Sequence, residues 1–167
     1  CYKKEYYDAI TTIKNQGCQV RYYHDVIGYN YRLEGLQGAV LSVSLKYLPE
    51  WTARRREIGA RYHSEITNPT ITMQVHPENT EPVFHLFVIT VKDPEDFVAY
   101  MRDRDIECHR HYPVPCHLQK AYADLGYREG DCPNAEYLAS HCVTLPLFPE
   151  MTDEEAEMVI GACNAYC

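Results

Sequence analysis

Apolar positions fall into several distinct periods along the chain. Tyr6, Tyr7, Ile10 and Ile13 recur at helical spacing with Gly17 as a stop, which predicts an amphipathic helix over residues 4–16. Residues 21–32 then show neither a helical nor a strand period. Leu33, Leu36, Val40, Leu41, Leu45 and Leu48 restore the helical period and predict a buried helix, with Gly35 and Gly38 leaving room for another backbone. Pro49 breaks or kinks it. Trp51, Ile58, Tyr62 and Ile66 carry a further helix through a charged stretch to about Glu65, and Asn68-Pro69 ends it. From Ile71 the period falls to two: Ile71, Met73 and Val75 predict a half-buried strand. The run from Pro82 to Val91 is nearly continuous in apolar residues, as in a central strand. Asp93-Pro94-Glu95-Asp96 supplies an N-cap, a first-turn proline and first-turn acids for a helix to about Arg104. Residues 106–111 are expected as a third strand. Cys132-Pro133 opens a short helix to about Ser140, Val143–Leu145 forms a short strand, and Thr152-Asp153-Glu154-Glu155 is a capping box that starts the last helix.

Strands and helices without strict alternation, joined by short connections, predict an α+β domain over residues 49–167, its helices packed on a small, mainly antiparallel sheet. Residues 1–48 are mostly helix and read as the edge of something larger. A chain of 167 residues buries about 68–70% of its unfolded surface, so it can build its own core. The balance of 16 Lys and Arg against 24 Asp and Glu gives a net charge of −8, which argues against a phosphate-backbone binder. Arg54-Arg55-Arg56, flanked by Glu50 and Glu57, reads as a solvated helix face. No apolar run approaches 18 residues, so no membrane span is expected. The chain opens on Cys1 and closes within a helical pattern, which is the expectation for a piece of a longer reading frame. Its eight cysteines are irregularly spaced and form no Cys-x-x-Cys. That usage predicts free thiols in the cytoplasm.

Two segments carry most of the candidate chemistry. The irregular stretch Arg21-Tyr22-Tyr23-His24-Asp25-Val26-Ile27-Gly28-Tyr29-Asn30-Tyr31-Arg32 is dense in groups that are aromatic at one end and polar at the other. The second is Cys108-His109-Arg110-His111-Tyr112-Pro113-Val114-Pro115-Cys116-His117. It admits three readings. Cys108, His111, Cys116 and His117 are competent zinc ligands, although their spacing fits no standard structural site. The segment also reads as a strand end and turn fixed by two prolines. The third reading is a substrate or cofactor wall of imidazoles and a phenol.

Together these segments resemble the C-terminal half of the DegT/DnrJ/StrS family of sugar-nucleotide aminotransferases. The resemblance rests on Tyr23-His24-Asp25-Val26-Ile27-Gly28-Tyr29-Asn30-Tyr31-Arg32-Leu33, Leu36-Gln37, Leu45-Lys46-Tyr47-Leu48, Arg54-Arg55-Arg56-Glu57-Ile58 and Pro82-Val83-Phe84-His85-Leu86-Phe87-Val88-Ile89. It continues through His111-Tyr112-Pro113-Val114-Pro115-Cys116-His117-Leu118-Gln119, Ala121-Tyr122, Leu125-Gly126-Tyr127 and Leu145-Pro146-Leu147-Phe148-Pro149-Glu150, in the family's order.

The resemblance implies the C-terminal part of a fold-type I transferase that uses pyridoxal 5'-phosphate. Residues 1–48 would be the edge of its large domain plus an interdomain helix, and 49–167 its small domain. It implies transfer of an amino group, from a donor such as glutamate, to a nucleotide-linked keto-sugar in a homodimer whose sites are shared across the interface. Asn30 would reach the cofactor phosphate of the neighbouring subunit, with Arg32 in support. Tyr23, His24, His111, Tyr112 and His117 would line the substrate. The lysine that the family uses to hold the cofactor covalently lies upstream of the helix that residues 4–16 resemble. None of the six lysines here (3, 4, 14, 46, 92 and 120) sits in such a motif, so the chain alone is expected to be inactive. Two other functions are open at this point. One is a sugar dehydratase of the same fold, with histidine in place of that lysine. The other is a non-catalytic metal-binding or interaction module built on the 108–117 cluster.

Overall fold

The computed structural model describes residues 2–167, which form two compact units that divide between Leu48 and Pro49. The first unit contains α1 (Lys4–Lys14), a two-stranded antiparallel ribbon of β1 (Cys18–Val20) and β2 (Tyr23–His24), and α2 (Gly35–Ser44). Gly17 makes the turn after α1 possible: its φ is +78°, and a Cβ there would lie 1.7 Å from the Val26 carbonyl oxygen. Residues 25–31 fold back on the end of α1. Tyr29 N–H donates to Ile13 O at 2.7 Å, Gln16 N–H to Tyr29 O at 2.9 Å, and Tyr31 N–H to Lys14 O at 2.9 Å.

Both helices of this unit differ from expectation in what they bury. Of α1 only Thr12 is buried, and its apolar stripe of Tyr6, Tyr7, Ile10 and Ile13 is exposed. The α2 helix, expected to be buried, buries no residue, and Leu36 is 79% exposed. The helical periods are therefore real, while the surface they would cover is not supplied by this unit's few strands.

The second unit has a continuous core. Its sheet runs in the order β3 (Thr72–Met73), β4 (Phe87–Thr90), β5 (Cys142–Leu145), antiparallel throughout. Phe87 pairs with Leu145 and Ile89 with Val143, which puts four apolar side chains on one face. Against them pack α3 (Leu48–Glu65) through Ile58 and Tyr62, α4 (Pro94–Arg102) through Phe97 and Met101, and α6 (Asp153–Ala165) through Ala156, Val159, Ile160 and Cys163. The fifth helix, α5 (Pro133–His141), leads directly into β5. This is the α+β arrangement of helices on a small antiparallel sheet that the sequence pattern predicts. The capping signals also act as expected: Asp93 accepts from Glu95 N–H and Asp96 N–H, and Thr152 and Glu155 cap one another reciprocally at 3.1 and 2.8 Å.

Three expectations are corrected. Residues 106–111 pair with β5 only at His109, through two backbone hydrogen bonds to Thr144, although Ile106 and Cys108 alternate inward as strand residues do. Just beyond, the Arg110 side chain bonds to the end of α5. The strand expected over 82–91 contracts to Phe87–Thr90 because Phe84 takes φ +48°, outside the range of a strand. Arg54, Arg55 and Arg56 are not a solvated face. Arg54 bonds to Met151 O and Asp153, Arg55 to Phe84 O and Leu147 O, and Arg56 to Pro82 O and Glu81. The three side chains tie α3 to the segment that precedes β4 and to the one that follows β5.

Candidate functional site

Each unit displays its own group of polar side chains. In the first, the fold-back of residues 25–31 ends at Asn30, which bridges to Asn15 and stands beside Arg32. Arg32 Nε donates to Asn30 Oδ1 at 3.2 Å. That contact occupies the amide oxygen and leaves the amide N–H groups and the rest of the guanidinium as donors on the surface. Tyr29 and Tyr31 stack at 5.2 Å on either side of Asn30 in sequence. His24 is held through Nδ1, which lies 2.8 Å from Gln16 O and 3.2 Å from Cys18 Sγ. His24 as a whole is exposed, and the neighbouring Tyr23 is 69% exposed.

In the second unit the site-bearing stretch runs from His109 through a 3-10 turn at Cys116–Leu118 and a second at Lys120–Leu125. It crosses α5, and α5 holds it at both ends. At one end Arg110 Nη2 donates to Ala139 O at 2.7 Å and Ser140 O at 3.1 Å, the free carbonyls of the last helical turn. At the other, His117 Nε2 meets Glu136 Oε1 at 2.9 Å, with the two side chains only 9% and 19% exposed. Glu136 also accepts from Gly130 N–H at 2.9 Å and from Cys132 N–H at 3.1 Å. The Gly130 N–H first, then the Cys132 N–H and the His117 ring, hold the Glu136 carboxyl below the usual carboxylate range. Between the two anchors, His111 Nδ1 shares a hydrogen bond of 2.9 Å with the buried Thr144 Oγ1. Tyr112 packs edge-on to the His111 ring at 5.3 Å and is 70% exposed.

Among the residues expected at a site, the structure thus brings Asn30 and Arg32 into contact, sets Tyr23 and His24 on one strand, and places His111, Tyr112 and His117 on one segment. His117 differs from the rest in having its ring withdrawn from solvent. Arg110 and Glu136 were not anticipated. The visible signal for Glu136 is an acid in the first turn after Cys132-Pro133, but its partners come from residues 117 and 130 and cannot be read locally. A cavity of about 380 Å³, lined by Ile106, Glu107, Phe148, Met151, Glu155 and Met158, meets the site-bearing stretch only at His109 and is lined by none of the expected site residues. Among the described residues no three His, Cys, Asp or Glu side chains gather into a group that could hold a metal ion. The seven described cysteines are free thiols, with Cys108 and Cys163 pushed up to about 12 by burial. No described helix is long and apolar enough to cross a membrane.

A surface amide beside a guanidinium, and an aromatic and imidazole segment strapped over a helix, are the parts from which anion and sugar sites are made. The chain belongs to the DegT/DnrJ/EryC1/StrS aminotransferase family, which it matches over residues 3–164. It is 38% identical over 159 residues to the dTDP-3-amino-3,6-dideoxy-alpha-D-galactopyranose transaminase of Aneurinibacillus thermoaerophilus, covering 95% of this chain and 43% of that protein. The crystal structure of S. venezuelae DesV in complex with a ketimine intermediate superposes with a TM-score of 0.90 at 34% identity, over 97% of this chain and 44% of that one. Spr1654 of Streptococcus pneumoniae in its PLP form has the same fold, with a TM-score of 0.84 at 23% identity over 98% of this chain and 44% of that one. The chain therefore spans less than half the length of the relatives it matches.

Pyridoxal phosphate is the cofactor of this family. The residues present fit a phosphate: Asn30 keeps its amide donors free while its oxygen is engaged, and Arg32 adds a fixed positive charge next to it.

Proposed function

We propose that this chain is the C-terminal part of a pyridoxal-phosphate-dependent aminotransferase that moves an amino group, from glutamate, onto a nucleotide-linked keto-sugar. The observation that carries the reading is the exposed Asn30–Arg32 donor pair just ahead of α2, in a chain whose relatives include a dTDP-amino-sugar transaminase. Residues 1–48 are the edge of the large domain and the interdomain helix, and residues 49–167 are the small domain. The lysine that holds the cofactor covalently lies outside this chain. The complete protein works in the cytoplasm as a homodimer with sites shared across its interface.

When bound, the cofactor supplies the electron sink that amino transfer requires. Asn30 donates from its amide to a phosphate oxygen of the neighbouring subunit's cofactor. Being neutral, it binds there without adding charge near the ring. Arg32 adds charge-assisted donors and, through Nε, holds the Asn30 amide in the rotamer that turns its N–H groups outward. Tyr23 and His24 offer a phenol and an imidazole edge to a polar substrate group. In the second unit Thr144 fixes the His111 ring through Nδ1, so that Nε2 remains for a sugar or phosphate oxygen. Tyr112 presents its ring face to the sugar, and His117 belongs to the same wall from its buried side.

The test is to incubate the complete protein with pyridoxal phosphate, glutamate and a dTDP-linked keto-sugar. Formation of the amino-sugar nucleotide is the expected result. Loss of a sugar hydroxyl without incorporation of nitrogen, or stoichiometric zinc with no turnover, would replace the reading with the dehydratase or the metal module. In dimers that pair an Asn30→Ala subunit with one lacking the anchoring lysine, the site that keeps its lysine receives Asn30 from the partner and stays active.

A further inference from the structure

The segment from Arg110 to His117 spans α5 like a strap, with one fastening at each end of the helix. At the C-terminal end Arg110 donates to the carbonyls of Ala139 and Ser140, where the helix dipole favours a cation. At the N-terminal end the fastening is Glu136, whose carboxylate receives donors from two separate stretches of chain. His117 Nε2 arrives from the strap, and the Gly130 and Cys132 backbone N–H groups from the loop that precedes α5. Gly130 sits there at φ +94°, a backbone conformation that other residues rarely adopt. A carboxylate suits the position because it alone among the side chains accepts all these bonds while donating none.

We propose that Glu136 is a positioning residue: acting through His117 and through the 128–132 loop, it sets the height of the strap on α5 and so the place of Tyr112, the exposed aromatic that the strap carries. His117 in this account is a pin, with its ring nitrogen engaged below the surface, and Tyr112 and His111 are the residues that meet the sugar. The inference rests on the proposed aminotransferase function for what Tyr112 meets. The mechanical part, that Glu136 holds residues 110–132 in place, does not.

The experiment compares wild type, Glu136→Gln and His117→Gln in the complete protein. Backbone hydrogen exchange is measured alongside steady-state kinetics for the keto-sugar nucleotide and the amino donor. Glu136→Gln should accelerate exchange at residues 111–119 and 128–132 and leave β4 and β5 protected. His117→Gln keeps the Gly130 and Cys132 bonds and should accelerate exchange only at residues 111–119. In both, KM for the sugar nucleotide should rise roughly tenfold to a hundredfold, as displacements of about 1 Å in a positioning group can do, with KM for the amino donor and cofactor affinity unchanged. A purely structural role would move all of these together with the unfolding midpoint. Unchanged exchange at 111–119 in both variants would overturn the pin, whatever the kinetics. Faster exchange with an unaltered sugar KM would overturn the link to Tyr112. A wild-type protein without amino transfer would instead defeat the proposed function, while the two exchange patterns would still decide whether Glu136 is the pin.

Discussion

Gly59 and His63 show how the same side of α3 limits what each residue can be. Gly59 is buried under the Phe84 ring, and a Cβ there would come within 2.6 Å of Phe84 Cδ2. The ring has little room to retreat, since it also packs on His63 at 6.1 Å, His76 at 5.4 Å and Phe87 at 5.5 Å. Gly59→Ala gains about 1 kcal/mol of helix propensity but overpacks the contact at about 1–3 kcal/mol. A net loss of about 1 kcal/mol in denaturant unfolding is expected, against the usual stabilising effect of this change in a helix. One turn on, the His63 and His76 rings meet edge to face at 5.4 Å, and neither buried Nε2 has a hydrogen-bond partner. Burial first, and the neighbouring His76 second, lower the His63 pKa from its usual 6.5. The unfolded chain thus binds a proton that the folded chain resists, so this contribution to stability is complete above pH 6.5 and is lost as pH falls through the lowered value. Unfolding titrations of wild type and His63→Phe should run parallel above pH 7 and diverge below 6.5, the variant losing less. Curves that stay parallel to pH 5 would show that His63 is not the group responsible.

At the scale of elements, α3 is fastened to its surroundings by three consecutive arginines with different acceptors. Arg55 donates to two backbone carbonyls, Phe84 O and Leu147 O, whereas Arg56 shares itself between Pro82 O and the exposed Glu81. Removing Arg55 leaves two part-buried carbonyls unpaired, and hydrogen bonds to charged groups are worth about 1.5–3 kcal/mol. Arg56 satisfies one such carbonyl, Pro82 O, so thermal unfolding should show Arg55→Met to be the more destabilising of the two and Arg56→Met to cost about half as much. Equal effects would mean that the Arg55 carbonyls find water instead. These arginines also show what the sequence conceals. Flanked by Glu50 and Glu57 they have the charge pattern of a solvated face, because the backbone carbonyls that draw them inward lie 26 to 97 residues away and leave no trace in side-chain composition. Helix starts were legible since their signals are local: Asp93-Pro94 and Thr152-Glu155 cap the helices they announce. Strand limits were not, because pairing depends on a distant partner. Residues 106–111 have the alternation of a strand, yet only His109 finds a bridge. The candidate site divides the same way. Clusters of Tyr, His and Asn mark residues 21–32 and 108–117 plainly, whereas the bond from His117 to Glu136, 19 positions apart, is a property of the fold.

At the scale of the whole molecule, the two units use similar helical periods to opposite effect. The second buries its apolar residues around Tyr62, Phe97 and Val143. The first exposes Tyr7, Ile27, Leu33 and Leu36, and an apolar surface of that kind marks a contact made with other protein. The proposed function supplies that contact, since the relatives that the chain matches are more than twice its length. It also puts Asn30, on the surface of this first unit, at the cofactor of the neighbouring subunit. The most direct measurement is the Kd of pyridoxal phosphate for the complete protein, wild type against Asn30→Ala, under identical salt and pH. Loss of a donor to a charged phosphate oxygen removes about 1.5–3 kcal/mol, so the Kd should rise roughly tenfold to a hundredfold while the unfolding midpoint of the cofactor-free protein stays where it was. An unchanged Kd would contradict the account and leave Tyr29-Asn30 as no more than the turn that leads into α2.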